Sequence, residues 1–198
     1  MSELTRTFIA VDFDNPGIVW KIQEIQKDLK NSGIVAKDVE PQNLHLTLWF
    51  LGELPENKLK IVLDEVRRVS FNRFEVKVRG VGYFPGGNRV SVIWLKIEDP
   101  TNTLNNILDQ LLDSLGKKGF RYDERGFTPH LTITRVKYIQ DKQKALKKLQ
   151  ELRDVQLGQQ MIDALKVKKS VLTAKGPIYS DLLVVKAGGA LDDKRRIG

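Results

Sequence analysis

The chain contains two histidines, and each opens the same kind of tetrapeptide, HLTL at His45–Leu48 and HLTI at His130–Ile133. On a strand, residues two apart share a face. His45 and Thr47 therefore point one way, while Leu44, Leu46 and Leu48 point the other. The second motif repeats this, with His130 and Thr132 on one face and Leu131 and Ile133 opposite. Each motif offers one imidazole and one hydroxyl from a rigid element. Imidazole gives or takes a proton near neutral pH. Two imidazoles facing each other suit in-line displacement at phosphorus, where the attacking and departing oxygens each exchange a proton on opposite sides. Threonine hydroxyls can donate to the non-bridging oxygens, where charge accumulates. This chemistry calls for no metal and no other cofactor.

A lone histidine is more often structural than catalytic. Two in identical contexts on equivalent strands shift the balance towards a shared site. A two-histidine metal centre is the competing reading, and it needs further ligands. The chain has no third histidine, no cysteine, and no acidic residue in phase with either histidine on its strand.

The elements that must carry the motifs also recur. TRTFIAVDF (Thr5–Phe13) reads as a strand, and Asn15-Pro16 opens a helix with Ile18, Ile22, Ile25 and Leu29 on one face, ended by Gly33. LHLTLWFL (Leu44–Leu51) is a strand, Lys58–Val69 an amphipathic helix, and Phe74–Phe84 with Arg89–Ile97 a strand pair around Pro85-Gly86-Gly87-Asn88. Then Asp99-Pro100-Thr101 opens a helix with Leu104, Ile107, Leu108, Leu111 and Leu112. Phe127–Val136 holds the second motif, Asp141–Arg153 is a Lys-rich helix, and Ala164–Ala187 a second strand pair. His130 lies 85 residues after His45, and the helix openings align at the same offset. The pattern predicts an α+β fold over residues 1–198. It forms one domain of two pseudo-symmetric lobes, each a duplicated unit with one motif, with antiparallel sheets facing across a cleft and helices on the outer faces. AGGALDDKRRIG, from about residue 188, reads as a mobile tail.

No cysteine is present, which excludes disulfides, thiolate nucleophiles and iron–sulfur clusters. The net charge of +8 favours a polyanionic partner, nucleic acid first, although Lys-rich helix faces also serve solubility. No apolar run suits a membrane span and no signal peptide is legible, so a cytoplasmic protein is expected; a monomer is expected as well.

The motifs and their flanks resemble the two-histidine (2H) phosphoesterase superfamily, whose signature is a pair of H-x-[TS]-x motifs. EPQNLHLTLWFLGEL (Glu40–Leu54) and GFTPHLTITRV (Gly126–Val136) are similar to its RNA 2′,3′-cyclic phosphodiesterase branch, also called 2′-5′ RNA ligases. The resemblance runs from RTFIAVD to about Val185, GVGYFP and RVSVIWL included. It implies metal-independent hydrolysis of a terminal 2′,3′-cyclic phosphate on RNA to a 2′-phosphomonoester, with the reverse joining reaction open to the same site. It implies His45 as proton donor and His130 as proton acceptor, with Thr47, Thr132 and Arg135 binding the phosphate. Spacing alone does not decide which histidine is the donor. Strict alternation would send Arg135 to the face away from His130, so a bulge or strand end must turn it inward. Phe50 occupies the matching place after the first motif. Tyr83, Phe84 and Trp49 are candidates for base stacking, although core packing is the commoner role. The alternative to catalysis is an RNA- or nucleotide-binding module that uses the cleft without turnover.

Overall fold

A computed structural model describes residues 4–87, 89–123, 126–174 and 176–188. Asn88 of the expected turn, and residues 189–198 of the expected tail, lie outside them. The order is β1 (Thr5–Asp12), α1 (Pro16–Asn31), β2 (Ile34–Asp38), a 3₁₀ turn (Pro41–Asn43), β3 (His45–Leu54), α2 (Glu56–Val66), β4 (Phe74–Gly86) and β5 (Arg89–Glu98). It continues with α3 (Thr103–Gly116), β6 (His130–Ile139), α4 (Lys142–Glu151), β7 (Gln156–Ile162), β8 (Ala164–Thr173) and β9 (Gly176–Lys186). Strands β2 and β7 were not anticipated. Both are short edge strands, β2 between α1 and the 3₁₀ turn and β7 between α4 and β8, and neither shows clean alternation.

Two sheets form, ordered β3-β1-β8-β9 and β2-β6-β5-β4-β7, with antiparallel neighbours throughout. The lobes differ from the sequence halves. The pair β4–β5, from the first half, joins the second motif strand β6. The pair β8–β9, from the second half, joins β1 and the first motif strand β3. The halves thus exchange their strand pairs. Both pairs carry the same alternating pattern, so local sequence does not distinguish the two partners.

The helices cross over as well. α1 connects β1 to β2, yet packs on β7, β2 and β6. α3 connects β5 to β6, yet packs on α2 and β3. Asn15 caps α1 by accepting from the Gly17 and Ile18 N–H groups, and Pro16 follows it. Ile18, Ile22, Ile25 and Leu29 are then buried on one stripe. Leu104, Ile107, Leu108, Leu111 and Leu115 do the same on α3. Leu112, expected in that stripe, is only partly buried.

Both motif strands carry a bulge at the same place. Ala10 pairs with Thr47 and Ile9 with Trp49, which leaves Leu48 out of the ladder. Trp94 pairs with Thr132 and Ile93 with Thr134, which leaves Ile133 out. Leu48 and Trp49 are consequently both in the core, as are Ile133 and Thr134. Past each bulge the parity of the strand is reversed, as far as a second irregularity at Leu51 in β3 and at Lys137 in β6. The carbonyls at the bulges find donors outside the sheet. The Tyr122 hydroxyl donates to Leu48 O at 3.1 Å. Gln26 Nε2 and the Val39 N–H both donate to Ile133 O at 2.9 Å. Gln26 is a buried amide on an otherwise apolar helix face, and it also donates to Val39 O at 3.0 Å. Gln26→Leu should therefore lower unfolding free energy by about 1–3 kcal/mol in denaturant titration. An unchanged midpoint would show that the Val39 N–H alone satisfies the bulge.

Candidate active site

The two sheets face each other across a cleft of about 500 Å³. His45, Thr47, His130, Thr132 and Arg135 all line it. The five residues singled out in the sequence come together in one place. Arg135 arrives through the Ile133 bulge, which turns it to the face of His130 and Thr132. Phe50 is turned outward by the matching Leu48 bulge, but it does not line the cleft. It is half exposed and carries the Arg6 guanidinium over its ring, 4.7 Å from the centroid.

The two imidazoles are held alike. His45 Nδ1 lies 2.7 Å from Asn43 O, and His130 Nδ1 lies 2.7 Å from Thr128 O. A carbonyl only accepts, so Nδ1 carries hydrogen in both rings. Nε2 is then the nitrogen free to take or give a proton.

Each ring is also flanked by two aromatics. Phe8 and Tyr179 pack on His45 with centroids at 4.9 and 5.1 Å. Phe84 and Trp94 pack on His130 at 5.5 and 6.0 Å. Burial lowers the pKa of His45 from its ordinary value, against the opposing pull of the Asn43 carbonyl and the Asp12 charge. Burial raises that of Tyr179, which keeps its hydroxyl protonated.

Of the expected stacking candidates, only Phe84 stands beside the site, 39% exposed. Trp49 lies in the core, edge-on to Tyr122. Tyr83 packs against the core, with its hydroxyl donating to Gly87 O. Phe8, Trp94 and Tyr179 were missed in the sequence. Nothing local marks them, because β1, β5 and β9 reach the histidines only through long-range pairing. Lys37, Asp38, Val39, Glu40 and Asn43 form one wall of the cleft, and Thr173 of β8 with Gly176–Tyr179 of β9 forms another.

Facing sheets that each present an imidazole and a hydroxyl to one cleft define a two-histidine phosphoesterase. The chain matches the AKAP7 2′5′ RNA ligase-like domain over residues 7–180, and it belongs to that family. Among its relatives, an RNA 2′,3′-cyclic phosphodiesterase of Methanothermobacter thermautotrophicus is 38% identical. The alignment covers 91% of this chain and 98% of the relative. One of Thermotoga maritima is also 38% identical, over 94% and 97%. A solved structure from Thermus thermophilus superposes with a TM-score of 0.76 at 26% identity, over 93% of this chain and 98% of that one. Escherichia coli LigT complexed with 3′-AMP has the same fold, with a TM-score of 0.71 at 21% identity over 94% and 99%.

Two measurements probe this geometry. With only two histidines to assign, NMR titration of the resting protein should place the His45 ring below the ordinary 6.5. A midpoint at or above 6.5 would contradict its burial. The second is Gly82→Ala. A Cβ at Gly82 would meet the Trp94 indole at 2.4 Å, and Trp94 backs His130. That variant should lose about tenfold or more in kcat/KM on a cyclic-phosphate substrate while still folding.

Proposed function

We propose that this protein is an RNA 2′,3′-cyclic phosphodiesterase that hydrolyses a terminal 2′,3′-cyclic phosphate to a 2′-phosphomonoester. One observation carries the reading. Imidazoles from opposite sheets, each with Nδ1 held by a carbonyl and Nε2 free, line the same cleft as Thr47, Thr132 and Arg135.

In this mechanism water enters on the His130 side, and His130 Nε2 takes its proton as the new P–O bond forms. The P–O3′ bond breaks on the opposite side, and His45 Nε2 gives its proton to the departing O3′. Thr47 and Thr132 donate to the non-bridging oxygens, and Arg135 balances their charge. After one turnover His45 has lost a proton and His130 has gained one, and exchange with solvent restores both. With a 5′-hydroxyl in place of water the same pair joins two ends, but bulk water favours hydrolysis. The net charge of +8 suits an RNA partner. Among the described residues, no three histidine, aspartate or glutamate side chains converge as a metal site requires. All five residues come from one chain, so a monomer carries the whole set, and an RNA substrate suits a cytoplasmic enzyme.

The test is turnover of a short RNA ending in a 2′,3′-cyclic phosphate, with excess chelator, and chromatography of the product. Wild type should yield a 2′-phosphate. His45→Ala and His130→Ala should each lose about 10²–10⁴-fold in kcat/KM, and Arg135→Ala on the order of 10²-fold. Binding without turnover would make the cleft a recognition site. Loss of activity to chelator alone would make the histidines metal ligands.

A further inference from the structure

The two halves of the site are alike in the histidines, their carbonyl partners and their aromatic neighbours. They differ in what stands across the ladder from each ring. Asp12 on β1 pairs with His45 on β3. At the matching place in the other sheet, Lys96 on β5 pairs with His130 on β6. Cross-strand partners share a face, so Asp12 stands on the face of the His45 ring and Lys96 on that of the His130 ring.

The carboxylate opposite His45 is held in place. Asp12 Oδ2 meets Lys166 Nζ at 2.7 Å, and its Oδ1 meets Lys168 Nζ at 3.0 Å. Asp181 on β9 completes the square, at 2.8 Å from Lys166 and 2.7 Å from Lys168. Lys168 is almost fully buried, its side chain 8% exposed. Partial burial would lower the Lys166 pKa, but its bonds to Asp12 and Asp181 outweigh this and hold it raised. Burial would likewise raise Asp181, but the two lysines hold it down. The square is neutral overall, and Asp12 is its corner next to His45. Lys96, by contrast, is more than half exposed and leans on Glu98 at 3.0 Å.

We propose that Asp12 is the positioning residue that makes His45 the proton donor of the pair. Its fixed carboxylate favours the protonated ring against the opposing effect of burial, while the equivalent place across from His130 holds a cation, Lys96. The proposal rests on the two-histidine mechanism above. Desolvation works against a protonated His45, and Asp12 is the anion that counters it. The other charged and titratable groups around the ring are Lys168 on β8, Tyr179 on β9 and Arg135 on β6, with His130, Asp38 and Glu40 lining the same cleft. Asp12 is the carboxylate paired with the ring across the ladder, and the cations Lys168 and Arg135 oppose it. The aromatic cradle of Phe8 and Tyr179 keeps the local dielectric low, which strengthens the carboxylate's effect.

The experiment follows the His45 ring by NMR titration in Asp12→Asn, Lys168→Gln and Asp181→Asn, together with pH profiles of kcat/KM. Asp12→Asn should move the His45 midpoint down and Lys168→Gln should move it up. Asp181→Asn, which breaks the same square away from the ring, should leave it nearly in place. Above both histidine midpoints kcat/KM follows the protonated fraction of the donor, and below both it does not. Asp12→Asn should therefore lose about three- to tenfold at about pH 8 and little at about pH 5, and Asp12→Glu should recover part of the loss. Opposite shifts from removing an anion and a cation of one network cannot come from loosened packing. Equal shifts in Asp12→Asn and Asp181→Asn, or no shift in Asp12→Asn and Lys168→Gln, would overturn the proposal. If Asp12→Asn fails to fold, an unmoved midpoint in Lys168→Gln overturns it alone. Retention of full activity by His45→Ala would instead overturn the mechanism beneath it, and the NMR result would be unaffected.

Discussion

The site depends on one extra residue in each motif strand. A regular strand would alternate to its end, so a chain that placed histidine and threonine in the cleft would bury the fifth residue after the histidine. The bulges at Leu48 and Ile133 reverse the alternation. Two consecutive residues turn into the core, and Arg135 turns out to the cleft. The irregularity removes a backbone group from the ladder, and a buried carbonyl without a donor is costly. Tyr122 at one bulge, and Gln26 with Val39 at the other, supply the donors. A buried glutamine on an apolar helix face thus serves the active cleft from the far side of the sheet.

The exchange of strand pairs follows the same logic of positioning. If each half had kept its own pair, each lobe could in principle fold and move as a unit. Because β4–β5 and β8–β9 are traded, every sheet is built from both halves. The crossing helices α1 and α3 add to this interlock. The relative placement of the two imidazoles is thereby tied to the core itself. Proton transfer on both sides of one phosphorus atom requires such fixed placement.

Near-symmetry creates its own difficulty for the proposed mechanism, in which a donor and an acceptor must differ. The folding units are alike, the motifs are alike, and the hydrogen bonds to Nδ1 are alike. What differs is electrostatic. Arg135 has Phe50 as its counterpart, and Asp12 has Lys96. Two similar sheets can hold unlike chemistry when the cross-strand neighbours differ in charge while the backbone pairing stays alike.

Much of this was written in the chain itself. The positions of α1 and α3 were legible because their apolar residues recur at helical spacing behind Asn15-Pro16 and Asp99-Pro100. The shared face of His45 with Thr47, and of His130 with Thr132, followed from strand periodicity. The motif spacing pointed to a repeated order of elements, and the parity of Arg135 called for a bulge without locating it. Only the tertiary structure decided which strand pair joins which motif, because both pairs present the same alternating pattern and the choice lies in long-range pairing. It decided likewise that Trp49 belongs to the core, that Phe8, Tyr179, Phe84 and Trp94 surround the rings, and that Asp12 stands opposite His45. Such neighbours are far apart in sequence and meet only through sheet register, which no local pattern encodes.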